Sequence, residues 1–495
     1  MTRSMNGVAT AASLALVAGC AIGPSTHVTP MLTPVVSRVD SVTPRAARLF
    51  LDSLTKARAA ERDTSTSPEL WQPTVLTVDA TRDLAWLDIL RDSVLVSLER
   101  TALANNRDLR VAQARLREYR ALRGAALGPL FPQISANGTG GRVKAMTGDT
   151  QIRYDQVAVT ANLAWELDFW GRLRRQAEAA RFDARGRAED ARATAITLVS
   201  DVATVYLQLR QADENLRISE ETRQSRLTTL ELARRRFAQG VISELDVRQF
   251  EAQVAEPTVS VASYTLLRTQ LENQLAQLIG MPPGPIPRGG PLDGSVRTVA
   301  VPDSLPGDLV ARRPDVLRAQ ADWQAALARV GVAMGNRLPA VTLTGSYGSQ
   351  RQKFVGLFEP HGEIYTALVG ISLPLFTGGQ LENEQKAARA RADQAKAQYE
   401  QTVLGALGEA DNALAAVKLN RDQLAAQATQ VRALRTAYSL AERRYASGIS
   451  SYLEVLDAQR TLFSAELAYV QQQGQYLSST VQLYRALGGS WVKAR

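Results

Sequence analysis

Four positions in the sequence offer chemistry. Cys20 is the only cysteine among 495 residues, and it closes Val17-Ala18-Gly19-Cys20 at the end of an uncharged apolar run from Val8 that follows Arg3. A run of about 11 apolar residues suits a signal-peptide core and is too short to cross a bilayer. Small residues before a cysteine at that place have the form of a bacterial lipobox: the thiol is acylated and the chain is cut so that Cys20 becomes the new N-terminus. Ala21, a residue other than Asp, fits sorting to the outer membrane. The other three positions are carboxylates. Asp246 lies just past Gly240, and Glu454 and Asp457 lie just past Gly448. An acid there favours the first turn of a following helix through its macrodipole. Repeated around an axis by several copies, the same acids would form a ring that favours cations and holds a constriction by hydrogen bonds.

Other chemistries drop out. One cysteine excludes a disulfide framework, and His27 and His361 are too few for a His-based metal centre. The chain has no Gly-x-Ser-x-Gly elbow, no His-Glu-x-x-His and no phosphate loop, so neither an enzyme nor a cofactor beyond a covalent lipid on Cys20 is expected. The net charge of +9 comes from arginines interleaved with acids along helical stretches, which reads as solvated helix faces and not as a nucleic-acid surface. No later segment offers 18 consecutive apolar residues, so any membrane crossing must use strands.

The elements that position the acids are written twice. Asp108, Ala112, Gln113 and Ala114 recur as Asp315, Ala319, Gln320 and Ala321, 207 residues later. Gly124, Gly128, Pro132 and Gly138 match Gly331, Gly335, Pro339 and Gly345 at the same offset. After a one-residue insertion the offset is 208: Gly171 matches Gly379, Arg236-Phe-Ala-Gln-Gly240 matches Arg444-Tyr-Ala-Ser-Gly448, and Gly280 matches Gly488. One offset held over this distance marks two copies of one supersecondary unit. The expected organisation is a signal peptide at 1–19, a lipidated extended tail at 20–80, a first repeat at 81–290 and a second at 291–495.

Each copy has the same grammar. The Ala-, Leu- and Arg-rich stretch from Asp108 to Leu130 reads as helix, ended by Phe131-Pro132. Alternating polar and apolar residues in Gln133–Thr139 and Tyr154–Trp165, and again in Val341–Tyr347 and Tyr365–Leu373, read as hairpins with two different faces. Strands of about 9 to 11 residues cross a tilted barrel wall, and Trp165, Phe169, Trp170, Tyr365 and Phe376 sit near strand ends, where an interfacial girdle belongs. Neither Gly171–Gln239 nor Gln380–Ser447 contains a proline, and a continuous helix of that length reaches about 100 Å. Val202, Leu209, Leu216, Leu230 and Phe237 repeat every seven residues, broken at Arg223, and Leu456, Phe463, Val470, Leu477 and Tyr484 do so on the returning helix. Such spacing marks coiled-coil packing. Pro257 in the first returning helix, opposite Ala465, should kink or break it.

Two hairpins give four strands, too few to close a wide barrel, and an open edge in lipid leaves backbone groups unpaired at several kcal/mol each. Other copies must complete the wall, and three would supply twelve strands. The fold class is therefore mainly α with a small β part: a long coiled-coil-like helical barrel, with four strands per chain completing a trimeric twelve-stranded transmembrane β-barrel.

Asn106-Arg-Asp-Leu-Arg110, Phe131-Pro-Gln-Ile-Ser135, Trp165-Glu-Leu-Asp-Phe-Trp-Gly-Arg-Leu173, Arg312-Arg-Pro-Asp315, Leu373-Pro-Leu-Phe-Thr-Gly-Gly379 and Tyr452-Leu-Glu-Val-Leu-Asp-Ala-Gln459 resemble the TolC family over about residues 81 to 490. The lipobox points to its OprM/NodT-like lipoprotein branch. The resemblance implies a homotrimer in the outer membrane with a long periplasmic extension, a periplasmic adaptor and an inner-membrane pump of the resistance-nodulation-division class. It implies an exit duct passing small molecules. It places Leu453, Asp457 and Arg460 at the closed periplasmic constriction and Asp246, Tyr445 and Glu454 in the gate network. The tips around Arg236, Gly240 and Val241 and around Arg444, Gly448 and Ile449 become adaptor-docking ends. Some relatives carry a basic residue where this chain has Ser450, so a latch would need another donor, with Arg460 the expected one. A type I protein-secretion duct and a non-channel scaffold remain the alternatives.

Overall fold

The computed structural model describes residues 22–26, 28, 35–36, 92–290, 292, 304–305, 310–351 and 362–489. Cys20, most of the tail expected at 20–80, and both histidines lie outside these residues.

In chain order the elements are β1 (Val35–Val36), α1 (Ser93–Asn105), α2 (Arg107–Leu127), β2 (Gln133–Thr147), β3 (Thr150–Leu167), α3 (Arg172–Ala238) and α4 (Glu244–Leu278). They continue with β4 (Ser304–Leu305), α5 (Pro314–Gly335), β5 (Ala340–Arg351), β6 (Glu363–Ser372), α6 (Gln380–Ala446) and α7 (Tyr452–Ala486). The long helices α3 and α6 have 67 residues each, and the returning helices α4 and α7 have 35 each. No helix among the described residues is long and apolar enough to cross a membrane.

Two compact units emerge, and they cut across the repeats. One takes the described parts of residues 1–29, 114–189 and 317–401; the other takes those of 30–113, 190–316 and 402–495. Each long helix contributes to both.

The first unit contains the sheet, ordered β2-β3-β5-β6 and antiparallel throughout. Directly paired residues share a face and successive residues alternate, so the register sorts the side chains. One face carries Ile134 and Ala136 of β2, Val157 through Leu167 at every second residue of β3, Val341, Leu343 and Tyr347 of β5, and Tyr365, Ala367, Val369 and Ile371 of β6. The other carries Ser135, Asn137, Gln156, Thr160, Asn162, Thr342, Thr344, Ser346, Thr366 and Ser372, interrupted by Ile364 and Leu368. Tyr365, Val369 and Ile371 are at least 70% exposed, so the apolar face is bare in the single chain. The outer edges of β2 and β6 pair with no strand among the described residues.

The first hairpin corrects the expected strand length. Its strands have 15 and 18 residues, against 12 and 10 in the second. On the apolar face the alternation holds only from Val157 to Leu167 of β3; beyond it that face carries Arg142, Asp155, Lys144 and Arg153, and the ladder continues to a two-residue turn at Gly148, whose φ is 59°. Strand pairing needs only backbone partners, so the ladder outlives the hydrophobic pattern.

Aromatic residues mark the helix-side end of the sheet. Trp165 Nε1 donates to the Leu130 carbonyl at 3.1 Å and Trp170 Nε1 to that of Pro339 at 2.7 Å, while Phe376 is 90% exposed. Tyr365 belongs to the other end, paired directly with Tyr347. Asp168 turns the chain into α3 by accepting from the amides of Leu173 and Arg174 at 3.1 and 2.9 Å.

In the second unit the heptad positions Val202, Leu209, Leu216, Leu230, Leu456, Phe463, Val470, Leu477 and Tyr484 are all buried; Phe237, at the tip, is exposed. The duplication also recurs as contacts at the foot of each returning helix. Asn106 Nδ2 donates to the Leu278 carbonyl and Arg313 Nη1 to that of Ala486, both at 2.9 Å. Gly280 and Gly488, with φ of 72° and 71°, lie against Asn105 and Arg313, where a Cβ would collide. Nearby, Glu99 is fully buried with no partner for either carboxylate oxygen among the described residues, and burial pushes its pKa up to about 9.

Candidate functional site

The sequence-predicted residues converge on the turns joining α3 to α4 and α6 to α7, both in the second unit. The two turns have one backbone design. Gly240 and Gly448 adopt φ of 73° and 70°. The amides of Val241 and Ile449 reach back to the carbonyls of Arg236 and Arg444 at 2.9 Å, while those of Gly240 and Gly448 bond to Phe237 and Tyr445 at 2.8 and 3.0 Å. This crossed pair is a Schellman closure, and glycine supplies the left-handed residue at no steric cost. It leaves Val241, Leu245, Ile449 and Leu453 each about two-thirds exposed.

Side chains differentiate the turns. In the first, Ser243 caps α4 with a complete capping box: Asp246 Oδ2 accepts from the Ser243 amide at 2.9 Å and its hydroxyl at 2.8 Å, and the Asp246 amide donates to Ser243 Oγ at 3.3 Å. Those hydrogen bonds hold the Asp246 carboxyl below its usual range. In the second, Ser451 makes no side-chain cap bond, and Glu454, the counterpart of Asp246, instead faces Arg444 at 3.5 Å. Asp457 is paired with Arg460 on its own helix at 3.3 Å, both largely exposed.

At the tips a hydrogen bond joins the two hairpins. Arg236 Nη1 donates to the Tyr445 hydroxyl at 2.5 Å, with the guanidinium 5.8 Å from that ring's centroid. Within one chain Arg236, a residue the sequence placed at a docking tip, donates across the hairpins at the tips, and Arg460 pairs on its own helix. Tyr445 continues into an aromatic chain, 5.0 Å from Tyr452, which lies 4.5 Å from Phe250. Burial pushes the Tyr452 hydroxyl up to about 12. Together with Leu230, Ala233, Val247 and Leu456, Phe250 forms a small core beneath the tips. Beside it a cleft of about 470 Å³ is lined by Arg236, Asp246, Gln249, Tyr445 and Leu453 among others.

Pro257 does not break α4, which runs unbroken from Glu244 to Leu278. A proline removes the amide that would bond to the carbonyl four residues back. That carbonyl, Gln253 O, accepts from Arg226 Nη1 at 2.6 Å, and the same nitrogen meets Glu256 at 2.9 Å. Arg226 is 3% exposed and its guanidinium sits 5.5 Å from the Phe463 ring centroid. Sequence reading missed Arg226; its signal was the repeat mismatch, since its counterpart is Leu434. In the second hairpin Leu434 packs against the buried cluster of Val431, Leu462 and Ala465.

Comparison with known proteins agrees with this architecture. The family model described as "outer membrane efflux protein" matches residues 98–281 and 305–489. The toluene efflux pump outer membrane protein TtgC of Pseudomonas putida is 36% identical over 430 residues, covering 86% of this chain and 88% of that protein. The solved outer-membrane channel OprN superposes with a TM-score of 0.77 at 30% identity, covering 86% of this chain and 99% of the other. The open state of the Neisseria gonorrhoeae MtrE outer membrane channel gives 0.78 at 27% identity, covering 95% and 98%. With both repeats matched by one family model and most of its length shared with these relatives, the chain belongs to the outer membrane efflux protein family.

Proposed function

We propose that three copies of this chain form the exit duct of a tripartite efflux pump, passing small molecules outward without catalysis. The observation that carries this reading is the sheet: one apolar face, one polar face and two unpaired edges. On β3 the apolar face runs from Val157 to Leu167. Eleven residues at about 3.3 Å each, tilted by about 45°, give a band about 25 Å tall, which matches the apolar belt of outer-membrane barrels. In lipid the free edges of β2 and β6 require partners, and three four-stranded sheets joined edge to edge close twelve strands around a polar lumen.

In that assembly the tips are the periplasmic gate. Leu453, Asp457 and Arg460 form the constriction, and Asp246, Tyr445 and Glu454 belong to the network that holds it. The exposed Val241 and Ile449, flanked by Arg236, Gly240, Arg444 and Gly448, meet the periplasmic adaptor, which links the duct to an inner-membrane pump of the resistance-nodulation-division class. The relatives' names as efflux-pump components support these partners. Cys20 carries the lipid. Ile22, two residues on, donates its amide to the Trp170 carbonyl at 3.0 Å, which supports an anchor held at the helix-side end of the strands.

Purified protein in planar bilayers should conduct ions in discrete steps of one unit size. A protein that inserts and never conducts overturns the duct reading in favour of a scaffold, and co-purification with an ABC-type transporter would turn it towards protein secretion.

A further inference from the structure

Beyond the apolar band, the same face of the first hairpin presents a like-charged pair. On β2 and β3 the residues that share the apolar face above Gly140 and Val157 are, in order, Arg142 with Asp155, Lys144 with Arg153, and Met146 with Gln151. Arg142 and Asp155 satisfy each other at 2.7 Å. Lys144 and Arg153 are directly opposite, both exposed, and neither forms an ion pair among the described residues. Like charges directly opposite on a ladder repel, with Cβ atoms about 5 Å apart, and an isolated hairpin gains nothing from such a pair. An oxyanion bound between them reverses the sign of that interaction.

Location says which anion. This pair lies four residues past the band's edge, about 13 Å along the strand and about 9 Å in height, which is headgroup depth. It points to the lipid side, and the turn at Gly148 is at the opposite end of the strands from the long helices, hence towards the outer leaflet. We infer that Lys144 and Arg153 form a clamp for a phosphate of the phosphorylated glycolipid of that leaflet, lipopolysaccharide. This rests on the reading of the sheet as a membrane-crossing wall.

The test compares the full-length trimer with the Lys144→Gln/Arg153→Gln double variant. Each is titrated in detergent with bisphosphorylated lipid A, with lipid A stripped of both phosphates, and with phosphatidylglycerol. The clamp requires roughly tenfold tighter binding of bisphosphorylated lipid A by wild type, lost both in the variant and on dephosphorylation. In lipid-free detergent the variant should melt no lower than wild type, and added lipid A should raise the melting temperature of wild type alone. Equal binding by the two proteins, or phosphatidylglycerol bound as tightly as lipid A, overturns the proposal. Conductance keeps the two readings apart: if lipid A binding is unchanged while both proteins conduct, the clamp fails and the duct stands. If neither conducts, the wall reading fails and takes the clamp with it.

Discussion

The two helical hairpins, α3–α4 and α6–α7, share one backbone and differ in what fixes it. Lengths, turn glycines and closing hydrogen bonds are the same in both. The first hairpin is braced by polar groups: a buried arginine occupies the carbonyl that Pro257 frees, and a full capping box closes the tip. The second is braced by apolar packing around Ala465, and its tip acid is turned away from the cap onto Arg444. Duplication thus conserved the frame while the side chains diverged. In the first copy the tip acid is committed to local structure; in the second, Glu454, Asp457 and Arg460 hold only exposed ion pairs. Exposed pairs of this kind contribute little, so the second tip is the cheaper one to rearrange.

That asymmetry can be broken stepwise. The largest effect should come from Arg226→Ala, which strands the Gln253 carbonyl and removes a buried cation from its partners, costing about 2 to 3 kcal/mol. Thermal unfolding of the solubilised protein reads this, and Arg226→Leu with Pro257→Ala, which copies the second hairpin, should recover most of it; no recovery would mean the arginine acts elsewhere. Tyr445→Phe removes the acceptor for Arg236 and should weaken the link between the hairpins by about 1 kcal/mol. Single-channel recording should then show roughly fivefold more open time, and an unchanged trace would remove the contact from the gate.

Acid separates the tips next. The folded-state pKa of Asp246 is depressed, so its contribution is present above the unfolded value, about 3.8, and is lost as pH falls through the folded one. Amide exchange in the first turn of α4 should therefore accelerate severalfold below about pH 3.8, and Asp246→Asn should show that behaviour at neutral pH. The smallest change expected is from Arg444→Gln. Freed of its cation, Glu454 should reach back to the Ser451 amide as in a capping box, slowing exchange at the start of α7 by a few tenths of a kcal/mol. Faster exchange there would show that the ion pair, and not the cap, orders this tip.

The long helices, their glycine ends and the four strands were legible from composition, periodicity and the repeat, because each rests on local preference or on a pattern that burial enforces. Pro257 was legible as an anomaly but not in its outcome. Helix breaking is a local expectation, whereas the donor that rescues Gln253 lies 27 residues away on another helix. Strand length was misjudged for a related reason: the apolar alternation stops at the band edge, and backbone pairing does not. The sequence put the tip residues on the two turns without showing which of them meet within one chain. Arg236 sat in a docking motif and Tyr445 in a gate motif, and only their approach across 209 positions makes them one contact.

By itself, then, the amino-acid order determined the duplicated frame, the acids at the helix tips and the two-faced strands, since these follow from spacing along one chain. Only tertiary structure decided which acid caps a helix and which faces a cation, and which arginine donates across the hairpins at the tips. Those choices depend on distances between helices and on competition among several donors for one acceptor. Two turns built on one glycine pattern leave that competition open, and packing settles it differently in each copy.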